Sequence, residues 1–145
     1  MKKILTALLT ASILTLGLSP AMNGAIAADK VKVVYHVSDA EKVPFVLNNM
    51  RNHIDGVGGA DNVELVLVSH GPAVKRFVDI EAVDKDRAAI SKLQAQGVEF
   101  DVCANTLTAM GIEPDELLAD FVIAEKGGVT RIAELQSQGY LYIRP

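Results

Sequence analysis

The sequence predicts a single α/β domain in which a parallel or mainly parallel sheet is covered by helices. Three observations predict this fold class. Strand-like segments alternate with amphipathic segments along the chain, and residues 63–69 form a nearly continuous apolar run of the kind that is buried on both faces of a parallel sheet. The length that follows an N-terminal leader suits one domain. Because each crossover between parallel strands passes over a face of the sheet, we expect helices there.

The elements follow from local patterns. Segments rich in β-branched, aromatic and aliphatic residues predict strands at 31–37, 63–69, 98–103, 121–124 and 140–143. Apolar residues at three- and four-residue steps, followed by glycine, predict helices at 41–54, 84–96, 105–110 and 129–138, with a short helical turn at 73–77.

Residues 1–27 have the pattern of a cleavable secretory signal peptide. Lys2 and Lys3 precede an apolar run from Ile4 to Leu18, and a small-residue stretch ends at Ala27. The run is interrupted by Thr, Ser and Gly, whereas a membrane anchor needs roughly 18 continuous apolar residues. We therefore expect cleavage after Ala27, a domain at 28–145 with no membrane span after cleavage, and a periplasmic or secreted location.

The charge balance limits the class of partner. The chain has 14 basic and 18 acidic residues, and loss of Lys2 and Lys3 leaves 12 against 18, a net charge of −6. This acidic balance disfavours nucleic acid and anionic lipid, so we expect a small molecule or a protein as partner. Cys103 is the only cysteine, which excludes an intramolecular disulfide.

Three chemically capable side chains end the first three predicted strands. His36 closes the first strand, His70 follows the second, and Cys103 closes the third. Ligands of open α/β sheets bind outside the carboxyl ends of the strands. Cys103 is therefore the candidate catalytic nucleophile, and His36 and His70 are candidate binding residues. Whether the three side chains meet depends on the strand order, which the sequence leaves open.

Two opposing influences act on the Cys103 thiol. The N-terminus of the helix that follows favours the thiolate, whereas the carboxylate of Asp101 lies on the same strand face and disfavours it. The direction of the net pKa shift is open at this level.

Structural roles compete with these assignments. Free cysteines are often buried and inert, and either histidine can serve as a hydrogen-bonded structural residue. A metal site built from His36, His70 and Cys103 has no local ligand spacing behind it, so we predict no metal. Gly56–Gly59 follows a helix, and Gly127-Gly128 lacks the remaining glycine spacing of a dinucleotide turn. We therefore predict no cofactor.

Three segments resemble one known family. They are Val33-Val34-Tyr35-His36-Val37, Glu64-Leu65-Val66-Leu67-Val68-Ser69-His70-Gly71, and Gly97-Val98-Glu99-Phe100-Asp101-Val102-Cys103-Ala104-Asn105. Together they are similar to the DsrE/DsrF-like family over nearly all of the chain after the leader. The resemblance implies a five-stranded, mainly parallel sheet with helices on both faces, in a Rossmann-like three-layer arrangement. It also implies assembly into trimers or hexamers, and a cysteine that passes sulfur as a persulfide. In the family that cysteine ends a strand before a short helix closed by glycine, a position that Cys103 and Gly111 match.

Two functions remain as hypotheses. In the first, an exported sulfur-handling protein carries a persulfide on Cys103 and passes the sulfur to a thiol-bearing protein partner. In the second, a non-enzymatic homo-oligomeric binding module holds a small ligand or metal, and Cys103 is structural. Accessibility of the thiol distinguishes the two hypotheses.

Overall fold

The computed structural model describes residues 30–145, so the predicted signal peptide at residues 1–27 lies outside the described residues. Its helices and strands are β1 (Val31–Val37), α1 (Val43–Gly56), β2 (Val63–Ser69), α2 (Asp84–Ala95), β3 (Glu99–Cys103), α3 (Ala104–Met110), β4 (Phe121–Ala124), α4 (Gly128–Ser137) and β5 (Leu141–Ile143). Short 3-10 helices occupy 40–42, 60–62, 71–77 and 114–116.

The five strands form one sheet in the order β4-β3-β2-β1-β5, and every neighbouring pair is parallel. The predicted parallel α/β domain is thus confirmed. The chain adds β2, β3 and β4 to one side of β1 and then returns to place β5 on the other side. The carboxyl ends of β1 and β5 therefore lie where the direction of strand addition reverses, which is where open α/β sheets bind their ligands.

Two apolar clusters sandwich the sheet. The larger joins inward residues of β1, β2 and β3 to α1, α2 and α3, with Phe77 and Phe100 fully buried at its centre. The smaller contains Val34, Val66 and Val68 of the strands and is covered by α4. Because successive strand residues point to opposite faces, the side chains of β3 at positions 99, 101 and 103 share the α4 face.

The predicted element boundaries are confirmed to within two residues. The helix after Cys103 ends where predicted, because Gly111 adopts a left-handed conformation with φ 66°, which glycine permits without strain. Among residues 30–145, every helix is too short or too polar to cross a bilayer.

Candidate thiol and histidine site

The strand order brings the three predicted site residues to one edge of the sheet. His36 lies near the end of β1, His70 follows β2, and Cys103 ends β3, and these three strands are consecutive neighbours. Neighbouring strands lie about 4.8 Å apart. Residues separated by more than thirty positions in sequence therefore form one row on the molecule.

The Cys103 side chain is nearly enclosed, and the residue is 6 % exposed. Burial alone would raise the pKa of its thiol. The backbone N–H of Gly128, the hydroxyl and N–H of Thr106, and the N–H of Asn105 lie beside the sulfur as donors and together lower that pKa below the ordinary cysteine value. The net pKa shift of Cys103, whose direction the sequence left open, is therefore downward, and the site favours the thiolate.

Gly127 and Gly128 make the close approach of α4 to Cys103 feasible. Gly127 has φ 92°, and a Cβ there would lie 2.7 Å from the Nδ2 atom of Asn105. A Cβ on Gly128 would lie 3.3 Å from the Cβ of Cys103 and 3.6 Å from that of His70. The paired glycines also bring the Gly128 N–H close to the sulfur.

Cys103 and His70 line one small cavity of about 170 Å³. Its other walls are Asn105, Thr106 and the segment 126–130. The cavity therefore offers the sulfur, an imidazole and several N–H and hydroxyl groups to one small ligand.

His70 is also the first residue of a hydrogen-bonded chain. Its Nε2 atom lies 2.7 Å from Nε2 of His36, and the Nδ1 atom of His36 lies 2.6 Å from the hydroxyl oxygen of Tyr142 on β5. Two neutral arrangements satisfy these contacts. Either the Tyr142 hydroxyl donates to His36 and His36 donates to His70, or both bonds run in the opposite direction.

The environment keeps both imidazoles neutral. Burial, proximity to His70 and the charge of Arg144 lower the pKa of His36 to about 4, against a smaller opposite effect of Asp39. Burial and Arg144 also lower the pKa of His70, again opposed by Asp39. Two imidazoles that share one proton cannot both be cationic without losing the hydrogen bond between them.

Asp101 does not prevent ionisation of Cys103, because Arg131 pairs with it. The Nε atom of Arg131 donates to Oδ2 of Asp101 at 2.6 Å, and its Nη2 atom donates to Glu99 at 2.7 Å. Burial raises the pKa of Asp101 to about 6, Arg131 opposes that rise, and the negative charge of Glu99 adds to it. These contacts also fix the first turn of α4 against β3.

Sequence reasoning missed four residues of this site. Gly128, Thr106, Tyr142 and Arg131 reach it through the fold, and none of them belongs to a motif. The glycine pair between β4 and α4 was the only available signal. Within residues 30–145, no three His, Cys, Asp or Glu side chains come together as metal ligands.

Fold and site together define a class of protein: a single parallel α/β domain with a nearly buried, ionisable cysteine at the carboxyl edge of its sheet. The DsrE/DsrF-like family matches residues 29–145, and the chain belongs to that family. The resemblance seen in the sequence is confirmed. The family is generally associated with sulfur relay.

Solved structures agree with this assignment. The chain is similar to MTH1491 from Methanobacterium thermoautotrophicum, a protein described as of unknown function, with 29 % identity and a TM-score of 0.70 over 80 % of this chain and 100 % of that one. It also resembles the ychN protein from E. coli, with 18 % identity and a TM-score of 0.60 over 80 % and 98 % of the two chains, which shows a shared fold. No curated protein sequence matches the chain at a significant level.

Proposed function

We propose that this chain is an exported sulfur carrier that holds sulfane sulfur as a persulfide on Cys103 and passes it to a thiol-bearing protein partner. The observation that carries the proposal is the set of N–H and hydroxyl donors that lowers the pKa of Cys103 inside a small cavity. A thiolate is the form of cysteine that attacks sulfur.

The transfer needs no cofactor and no external oxidant or reductant. With thiosulfate as donor, the Cys103 thiolate attacks the outer sulfur, a new S–S bond forms, and sulfite leaves with the electron pair of the broken bond. The thiolate of the partner then attacks the outer sulfur of the persulfide. That step breaks the bond to Cys103 and returns its electron pair to the Cys103 sulfur.

We extend the proposal to a path for the thiol proton along the histidine chain, because His70 lines the cavity that holds Cys103. When His70 accepts a proton on Nδ1, its Nε2 proton passes to His36, the Nδ1 proton of His36 passes to the Tyr142 oxygen, and the hydroxyl proton of Tyr142 leaves to water. Each hydrogen bond reverses and neither imidazole stores a charge, in keeping with the lowered pKa values of both. Tyr142 is 41 % exposed, so the path ends at solvent.

Self-assembly is part of the proposal. Val129 at the start of α4 and Leu141 on β5 are 73 % and 61 % exposed, and Val122 on the edge strand β4 is 45 % exposed. Val129 lines the cavity beside Cys103, and Val122 and Leu141 lie on the two edge strands of the sheet, where an unpaired strand edge can pair with another chain. We expect a homo-oligomer, a trimer or hexamer as the family resemblance implies, and light scattering coupled to size-exclusion chromatography measures it.

Export is proposed from the pattern of residues 1–27 alone. N-terminal sequencing of protein recovered from the periplasm or medium tests it. A chain that begins at Ala28 agrees with the proposal, and a chain that retains Met1 in the cytoplasm contradicts it.

Mass spectrometry tests the sulfur-carrier function directly. The protein expressed from Ala28 is incubated with thiosulfate or polysulfide, and we expect a mass increase of one sulfur atom that dithiothreitol removes and that Cys103→Ser abolishes. The partner step is tested with a small thiol as acceptor. Absence of the adduct in the wild-type chain, or its persistence in Cys103→Ser, refutes the proposal.

The competing function is a non-enzymatic binding module with a structural Cys103. The 6 % exposure of Cys103 favours it. The discriminating measurement is labelling of the native protein with a small thiol reagent. Labelling only after unfolding selects the binding module, and labelling of the native protein selects the carrier.

A further inference from the structure

A groove between α1 and α2, on the sheet face opposite α4, has the properties of a second binding site. It encloses about 400 Å³, more than the cavity beside Cys103 and within the usual size of small-molecule sites. Its apolar wall consists of Pro44, Phe45, Leu47, Ala89 and Leu93. Phe45 is 52 % exposed, so its aromatic ring is available to a ligand in the groove.

Positive charge surrounds this apolar wall. Arg51, Lys85 and Lys92 line the groove, and the ammonium of Lys42 lies 5.9 Å from the centre of the Phe45 ring. None of these four cations takes part in the ion pairs found among residues 30–145. Their charges are therefore free to meet an anion that enters the groove.

The remaining polar groups of the groove leave this charge uncompensated. Among the described residues, Asp86 is the only acidic residue lining it, and its carboxylate already accepts from Arg76 at 2.9 Å. In the same part of the chain, the guanidinium of Arg51 donates only to the side-chain oxygens of Asn48 and Asn52, both neutral. At the far end of the groove, Oε1 of Gln96 is buried and has no hydrogen-bond partner among the described residues.

We propose that the α1–α2 groove binds a small amphipathic anion, a carboxylate or sulfonate attached to an apolar body. The apolar body covers Phe45, Ala89 and Leu93, and the anionic group pairs with Lys85, Lys92 or Arg51. Seven residues separate Lys85 from Lys92, about 10 Å along a helix, so the cations lie along the groove beside the apolar wall. This site is independent of Cys103.

NMR titration of the protein expressed from Ala28 tests the inference, with octanoate as the probe. Octanol has the same chain without the charge, and acetate has the charge without the chain. We expect octanoate to bind at least several-fold more tightly than either control and to shift the amide signals of α1 and α2. Cys103→Ser should bind octanoate as the wild type does, which separates this site from the sulfur carrier.

Charge-removing variants locate the anion. Lys92→Gln should weaken octanoate binding about threefold, and the double variant Lys85→Gln/Lys92→Gln about tenfold, since each partly exposed ion pair contributes roughly 0.5–1 kcal/mol. The matched control is Lys75→Gln, an exposed lysine outside the groove.

Four outcomes overturn the inference. The first is equal binding of octanol and octanoate, and the second is an equal loss of affinity in Lys75→Gln. The third is shifts that map away from α1 and α2. Self-association of the protein through the same two helices would assign the groove to a second copy of the chain and would also overturn it.

Discussion

Replacement of Thr106 by valine tests the origin of thiol activation at one atom. The Thr106 hydroxyl accepts from the N–H of Gly71 at 3.1 Å and lies beside the Cys103 sulfur as a donor, which lowers the pKa of the thiol. Valine keeps the branched shape and removes the hydroxyl. The substitution therefore raises the thiol pKa and leaves the donors on Gly128 and Asn105 in place.

The magnitude follows from the strength of a hydrogen bond to a charged group, about 1.5–3 kcal/mol. At the lower end, which suits a site beside an open cavity, the thiolate fraction falls about tenfold below the pKa. A more basic thiolate is a better nucleophile, with a Brønsted coefficient of about 0.4–0.5. The two effects combine to a rate about fourfold lower at acidic pH and about threefold higher on the alkaline plateau.

The assay is the pH dependence of Cys103 modification by methyl methanethiosulfonate, a reagent small enough for the cavity. The rate profiles of Thr106→Val and the wild type should therefore cross. Thr106→Ser, which retains the hydroxyl, should follow the wild type. Thr108→Val changes an exposed threonine on the same helix and should also leave the profile unchanged. A profile of Thr106→Val that superimposes on the wild type, or an equal shift in Thr108→Val, refutes the reasoning.

Two further predictions concern the histidine chain. Because the pKa of His36 is lowered from 6.5 to about 4, the folded state resists the proton that the unfolded chain binds, so this residue's contribution to stability is complete above pH 6.5 and is lost as pH falls toward 4. The free energy of unfolding, measured with urea, should fall between pH 7 and pH 4.5 by about 2.5 kcal/mol less in His36→Gln than in the wild type. An equal fall in both proteins would contradict the lowered pKa of His36. His53→Gln is the control. Asp101, whose pKa is raised, contributes to the pH dependence of stability in the opposite direction, and this contribution is common to the wild type and both variants. Tyr142→Phe should slow sulfur loading of Cys103 about tenfold at pH 7 without displacing the thiol modification profile, because it removes the outlet of the proton path. Tyr35→Phe breaks a comparable 3.0 Å contact with His53 and should change neither the rate of sulfur loading nor the rate of thiol modification. Equal effects of Tyr142→Phe and Tyr35→Phe would exclude the proton path through His70, His36 and Tyr142.

Much of the fold could be predicted because its signals are local. Strand and helix periods, glycine stops and the apolar run at 63–69 each depend on neighbouring residues, and alternation alone indicates parallel pairing. The same reasoning located His36, His70 and Cys103 at strand ends. Their proximity required the order β3-β2-β1, which depends on how the helices cross the sheet and has no local signal.

The residues that activate the thiol could not be predicted for the same reason. Gly128 reaches Cys103 because α4 crosses the sheet, and Tyr142 reaches His36 because β5 pairs with β1. The pKa of Cys103 illustrates the consequence. From the sequence, Asp101 and the short helix oppose each other, whereas in the fold Arg131 pairs with Asp101 and the first N–H of α4 lies beside the sulfur and lowers its pKa.

The proposed export and the proposed persulfide impose opposite requirements on Cys103, and the surroundings of the thiol can meet both. An oxidising compartment endangers a reactive sulfur, because oxidation follows thiolate character and exposure. A thiol that avoided oxidation by remaining protonated would also lose its nucleophilicity. The site separates the two properties: the donors of Gly128 and Thr106 favour the thiolate, while burial to 6 % exposure and a cavity of about 170 Å³ limit what can reach it. Small sulfur donors should therefore react with Cys103 faster than bulky disulfides of equal intrinsic reactivity, and the ratio of the two rates should fall toward one in the unfolded protein.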